Sequence, residues 1–294
     1  MSAARVLVVE HEDGTGPAQV GERLAEQGLL TQMCRPWTGD ALPRNLDDHD
    51  ALLVLGGSMG PHDDERAPWL PAVRELLRQA VARDLPTLAI CLGMELLTVA
   101  CGGEVRRAAL PEVGLCELMP LQEAVEDRLF GPLAHTGGRL RAVQWHWEES
   151  GTLPDGAVPL VTSERCAHQS YRIGTSVWGV QFHPEVLADD IRTWGTSDVG
   201  PLLALGLEPA GVVAEVARAE TELRVLWGAF AEQWAAIVTD PATAVPAAPT
   251  PGGDDVPAPP RPAGAGDGDA TTTPRWRHMA LPRVAPRVPP ESVS

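Results

Sequence analysis

The sequence predicts an α/β protein built on a mostly parallel sheet. The run Arg5-Val6-Leu7-Val8-Val9 is compact and β-branched, as in a strand buried on both faces, and residues 18–27 follow it with helical spacing and Gly28 as a stop signal. The same succession recurs twice, with a buried run at residues 50–55 before an amphipathic helix at 69–83, and a third strand at 85–90 before a helix at 94–100. Strands alternating with helices in this way imply parallel pairing through right-handed crossovers.

From about residue 112 to 179 the pattern changes to short strands and turns, including Val143-Gln144-Trp145-His146-Trp147 and residues 157–162, which predicts a small antiparallel region. Residues 178–182 return to a core strand with His183 at its end. Residues 211–238 read as two closing helices, or alternatively as an amphipathic pair that binds a partner. Residues 1–239 thus form one expected domain. Residues 240–294 are dense in Pro, Ala, Gly and Thr and nearly lack large aliphatics, so they cannot bury enough apolar surface to offset chain entropy. A disordered tail is expected there, with Trp276 and Met279 among arginines as a possible docking motif.

The net charge of −17 argues against nucleic acid or an anionic membrane as partner, since both demand basic surface. All 23 basic residues are Arg. The five cysteines are odd in number and show no metal-ligand pairing; Cys34, Cys101, Cys116 and Cys166 read as reduced thiols in or near the core, which points to the cytoplasm. The N-terminal apolar run is too short for a signal peptide, and no apolar stretch approaches a membrane span.

Chemistry concentrates at Cys91. The stretch from Pro86 through Glu95 reads as a buried strand, a sharp turn bearing a thiol, and a helix. Such a turn strains the backbone and needs small residues two positions either side, here Ala89 and Gly93. The helix N-terminus behind the turn is expected to favour the thiolate. Far downstream, Gln181-Phe182-His183-Pro184-Glu185 offers a base and a carboxylate to orient it. Cys91, His183 and Glu185 are the parts of a nucleophilic acyl-transfer site. Each half alone has a structural reading, as a buried core thiol and as a surface turn.

Together the two segments resemble the class I glutamine amidotransferases, whose domain carries a G-x-C-x-G-x-Q elbow and a distal F-H-P-E. The resemblance covers about residues 6–236. It includes Cys101-Gly102-Gly103-Glu104-Val105 behind the nucleophile helix and the loop Gly56-Gly57-Ser58-Met59-Gly60. Gln144-Trp145-His146-Trp147-Glu148, followed by Leu153-Pro154-Asp155-Gly156-Ala157, is similar to the free-standing branch related to the GMP synthase glutaminase domain. The resemblance implies a flavodoxin-like three-layer fold and hydrolysis of the γ-amide of glutamine through a Cys91 thioester. It implies an oxyanion hole from the backbone N–H groups of Gly57 and Leu92, substrate contacts from Gln169 and Ser170, and a structural His146 near the site. No cofactor or metal is implied, and the glycine loop lacks the Lys of a phosphate-binding loop.

Two positions depart from the family pattern. Ala89 replaces the first elbow glycine, and Glu95 stands where relatives carry a substrate-holding Gln. Glu95 lies one helical turn after Cys91, where an ionised carboxylate only accepts hydrogen bonds and opposes thiol ionisation. Three readings stay open: a protonated or cation-paired Glu95 with glutaminase activity retained, selection of another γ-glutamyl substrate through an amino group, or a site losing function. The functional expectation is a glutaminase that passes ammonia to a separate synthetase subunit, since residues 240–294 are too few and too polar to fold as one. The alternatives are a free-standing γ-glutamyl peptidase or amidase, and a non-catalytic binding protein of the same fold.

Overall fold

Alternate residues of a strand point to opposite faces, and the aliphatic runs of this chain use both. The computed structural model describes residues 3–135 and 140–240. In chain order, β1 (Arg5–Val9), α1 (Ala18–Glu26), β2 (Leu30–Cys34), β3 (Ala51–Val54), α2 (Leu70–Arg83), β4 (Thr87–Ile90) and α3 (Leu92–Ala100) form the first half. There follow β5 (Glu104–Pro120), the single turn α4 (Gly131–Ala134), β6 (Leu140–Thr152), β7 (Val158–Thr162), β8 (Ser170–Ile173) and β9 (Val177–Val180). Three helices close the fold: α5 (Ala188–Ser197), α6 (Val199–Ala204) and α7 (Pro209–Thr239).

The nine strands lie in the order β2-β1-β3-β4-β9-β8-β7-β5-β6. Pairing is parallel from β2 through β9 and antiparallel from β9 onward, so a parallel core carries an antiparallel extension. Val6, Val8, Leu53 and Ile90 pack on one face with Trp227, Phe230 and Trp234 of α7. Leu7, Val9, Leu52 and Val54 pack on the other with Val73 and Leu77 of α2 and Leu96 and Leu97 of α3. The result is three layers, as expected. Phe182, next to His183, stacks on Trp227 at a centroid distance of 4.8 Å, and Trp227 meets Phe230 at 5.6 Å. Each such pair adds about 0.5–1.5 kcal/mol beyond its burial and ties the strand end at the site to α7.

Four expectations need correction. The strand β2 escaped the reading because Leu30-Thr31-Gln32-Met33-Cys34 is largely exposed at the sheet edge and carries no aliphatic run. The strand at residues 85–90 is accordingly the fourth. Residues 104–152 hold two long strands instead of short ones, with a register shift between Arg107 and Glu112 that interrupts their alternation. The two closing helices are one, because Val212, Val216, Ala219, Leu223, Trp227 and Ala231 keep a single buried stripe through Gly228. The helices α5 and α6 were not anticipated. The expected tail lies outside the described residues, apart from Asp240. Among those described, no helix is long and apolar enough to cross a membrane.

Candidate active site

Four parallel strands end on one edge of the sheet, and the loops that leave them build the site. His11 follows β1, Gly56 and Gly57 follow β3, Cys91 follows β4, and His183 comes just after β9. Binding crevices of open α/β sheets lie at such C-terminal strand ends. Here the crevice is a cleft of about 1050 Å³ whose wall includes Gly56, Gly57, Cys91, Glu95, His183 and Glu185.

Cys91 occupies the turn between β4 and α3 with φ +51° and ψ −111°. A side chain held in that region costs of order 1–3 kcal/mol, and the surroundings must enforce it. The Cys91 N–H donates to the Val180 carbonyl at 2.7 Å, and the Glu95 N–H donates to the Cys91 carbonyl at 3.0 Å. Gly93 must be glycine, because an added Cβ would lie 2.4 Å from the Val54 carbonyl oxygen. Ala89 is accommodated: it is buried in β4 between Val54 of β3 and Gly179 of β9, which leaves room for its methyl.

His183 Nδ1 bonds to Glu185 Oε1 at 2.7 Å, so the ring donates there and turns Nε2 elsewhere. That Nε2 is buried and has no partner among the described residues, and the same holds for Glu185 Oε2. The His183 backbone is fixed by donation to the Val143 carbonyl at 2.8 Å, and Gln19 holds the Pro184 carbonyl at 2.8 Å. The Trp194 indole meets the imidazole edge-on at 4.9 Å between centroids. An added Cβ on Gly56 would fall 3.2 Å from His183 Cε1 and 3.6 Å from Cys91 Cβ. Imidazole and thiol therefore converge on Gly56. At Gly57 the same addition would meet Leu92 Cδ2 at 3.0 Å, which brings together the two residues expected to supply an oxyanion hole.

The electrostatics overturn one expectation. Burial, then the Glu95 and Glu185 carboxylates, push the Cys91 thiol well above its usual range. The Leu92 backbone N–H and the Gln181 amide, 3.9 Å from Sγ, pull it down but do not prevail. Desolvation outweighs the helix N-terminus, so the resting residue is a thiol instead of a thiolate. Glu95 is also buried, and burial raises its pKa from 4.5 to about 7 although Gln181 donates to it at 3.0 Å. The arrangement can shuttle one proton: a buried thiol, an imidazole with an open nitrogen, and a carboxylate that fixes the imidazole's other nitrogen.

The family model of glutamine amidotransferase class-I matches residues 20–193. The chain belongs to the class I glutamine amidotransferases. The glutamine amidotransferase-like protein YfeJ of Salmonella typhimurium is 30% identical over 191 residues, covering 64% of this chain and 78% of that protein. One subunit of the glutamine-hydrolyzing GMP synthase of Methanosarcina barkeri is 32% identical over 143 residues, covering 48% and 66% of the two chains. The crystal structure of a glutamine amido transferase from Methylobacillus flagellatus superposes with a TM-score of 0.68 at 30% identity, covering 80% of this chain and 94% of that one.

Within this amidotransferase fold, two expected substrate contacts lie elsewhere. Gln169 is fully buried: its amide donates to Glu112 at 2.6 Å and to Ser163 at 3.2 Å, while its oxygen accepts from Gln144 at 2.8 Å. It braces the β5–β6 hairpin against β8. Ser170 is buried at the start of β8 between β7 and β9, and neither residue belongs to the cleft wall. His146 is a structural hydrogen-bonding residue as expected, with Nδ1 on the Glu148 carbonyl at 2.8 Å and Nε2 on Glu112 at 3.3 Å. Sequence reasoning missed Gly56, Gln181 and Trp194. Gly56 and Gln181 stood in quoted motifs without a role, and Trp194 lies in a segment with no motif to mark it.

Proposed function

We propose that this chain is a cysteine-dependent hydrolase of γ-glutamyl amides, acting on glutamine as a glutaminase that releases glutamate and ammonia. The observation that carries the reading is the 2.7 Å His183–Glu185 bond, which leaves Nε2 free beside the strained Cys91 turn. Because the resting thiol is protonated, His183 takes its proton as Sγ attacks the γ-carbonyl, and Glu185 stabilises the imidazolium formed. The developing oxyanion is received by the N–H groups of Gly57 and Leu92, a contact whose loss typically costs about 3–4 kcal/mol of barrier. His183 then protonates the leaving nitrogen, and water attacks the thioester with His183 again as base. Glu95, at the cleft floor, receives the α-ammonium of the glutamyl group. An accumulating thioester tests the scheme: intact-mass spectrometry of acid-quenched enzyme after mixing with a γ-glutamyl amide should show a glutamyl adduct on Cys91, absent in Cys91→Ala.

The Methanosarcina relative is by name part of a glutamine-hydrolysing synthase, which supports a separate synthetase as acceptor of the ammonia. A second reading, γ-glutamyl amidase without an ammonia acceptor, is favoured by Glu95 and by a cleft far larger than the amide of glutamine requires. Domain 1–239 carries all of the proposed chemistry.

A further inference from the structure

Expulsion of an amine places that amine beside the imidazole that protonates it. The surroundings of His183 therefore bound the leaving group, and they have a distinct character. Trp194 covers the imidazole edge-on, and Trp145 meets Trp194 at 5.8 Å between centroids. Trp145 Nε1 donates to Asp198 at 2.8 Å, which fixes a carboxylate in the cleft wall. Trp194 Nε1 donates to the Gly14 carbonyl at 3.2 Å, tying α5 to the loop that carries the exposed Asp13, also in the wall.

The cleft wall holds two arginines, Arg66 and Arg107. Arg66 bonds the Ser58 hydroxyl at 2.9 Å on the glycine loop, and Arg107 lies on β5 opposite Glu148. The leaving-group side thus offers the indoles of Trp145 and Trp194 and the carboxylates of Asp13 and Asp198 in the cleft wall, groups that attract ammonium ions through π-electrons and charge together and repel a carboxylate. Ammonia released from glutamine needs no such surface.

We propose that the amine half of the preferred substrate carries its own positive charge, so that the protein hydrolyses γ-glutamyl amides of diamines seated against Trp145 and Trp194 between Asp13 and Asp198. This rests on the reading of Cys91 as the nucleophile toward γ-glutamyl amides. In the reaction the amide C–N bond breaks as the C–S bond forms, and the thiol proton passes through His183 to the departing nitrogen. Water then splits the thioester into glutamate and free thiol. The second ammonium of the diamine keeps its proton throughout.

The test compares kcat/KM for four γ-glutamyl amides: those of putrescine, butylamine and γ-aminobutyrate, and glutamine itself. Putrescine should exceed butylamine by about ten-fold, with γ-aminobutyrate poorest, and added salt should shrink the difference. Asp198→Asn should bring the putrescine-to-butylamine ratio toward one; Asp13→Asn, at an exposed loop position, provides the same reading should loss of the Asp198 charge disturb Trp145. Cys91-dependent hydrolysis with equal rates for putrescine and butylamine, or with γ-aminobutyrate favoured, would overturn the diamine proposal and leave the thioester chemistry standing. Cleavage of none of the four would overturn both.

Discussion

A carboxylate one helical turn after a nucleophilic thiol works against that thiol, and the burial of Glu95 moderates the conflict by keeping it protonated up to about pH 7. The folded pKa lies above the ordinary value, so the contribution to stability is complete below about pH 4.5 and is lost as pH rises through about 7. Glu95→Gln removes the titration. Its stability relative to wild type should therefore rise by about 3 kcal/mol between acid and neutral pH and level off above, at about 1.4 kcal/mol for each tenfold change in the acid constant. Urea unfolding at about pH 5 and about pH 8 measures the difference. Loss of the charge should also lower the Cys91 pKa, and alkylation of Cys91 above pH 7 should quicken by about ten-fold for each pH unit by which it falls. An unchanged alkylation rate in Glu95→Gln would show that Glu95 does not govern the thiol. At Gly56 the issue is space, since a methyl would stand 3.2 Å from His183 Cε1. Gly56→Ala should cut kcat/KM by about 100-fold while leaving thermal unfolding within a few degrees of wild type, in line with the cost of misplacing reacting groups by about 1 Å.

The turn between β4 and α3 functions because its neighbours leave it no alternative, and Gly93→Ala should fail for that reason. A Cβ 2.4 Å from a backbone carbonyl has no flexible side chain to displace, so soluble yield and unfolding temperature should both fall sharply. Trp227→Ala in α7 should cost about 3–5 kcal/mol in equilibrium unfolding, and it should slow hydrolysis beyond that loss because Phe182, next to His183, rests on the indole. What the sequence made legible follows the same physics. Elements buried on two faces, such as Val6 to Val9 and Ala51 to Val54, announce themselves by composition, and the turn at Cys91 by its small neighbours. The edge strand β2 is exposed and polar, and the β5–β6 hairpin is broken by a register shift, so neither shows a clean period. Cys91, His183 and Glu185 could be singled out because short motifs carry them, and all three line one cleft. The bracing network of Gln169 was not legible, because Glu112, Ser163 and Gln144 are distant in sequence and leave no local pattern.

The molecule as a whole places a thiol, an imidazole and two glycines at the ends of parallel strands, and uses its long closing helix and aromatic core to hold them in register. On this account residues beyond Pro249 contribute nothing to the chemistry. A chain ending at Pro249 should fold and hydrolyse its substrate at the rate of the full chain; loss of either would show that the C-terminal residues belong to the working structure. The acidic cleft and the raised thiol pKa fit the proposal that the nucleophile is made only with substrate in place. The most direct measurement is glutamate release from glutamine and from γ-glutamyl amides by wild type, Cys91→Ala and His183→Ala. Release by the wild type that vanishes in Cys91→Ala and falls by about 100-fold or more in His183→Ala is the predicted result. Release that survives in Cys91→Ala, or none from the wild type with any of these amides, would contradict the assignment of Cys91 as the nucleophile.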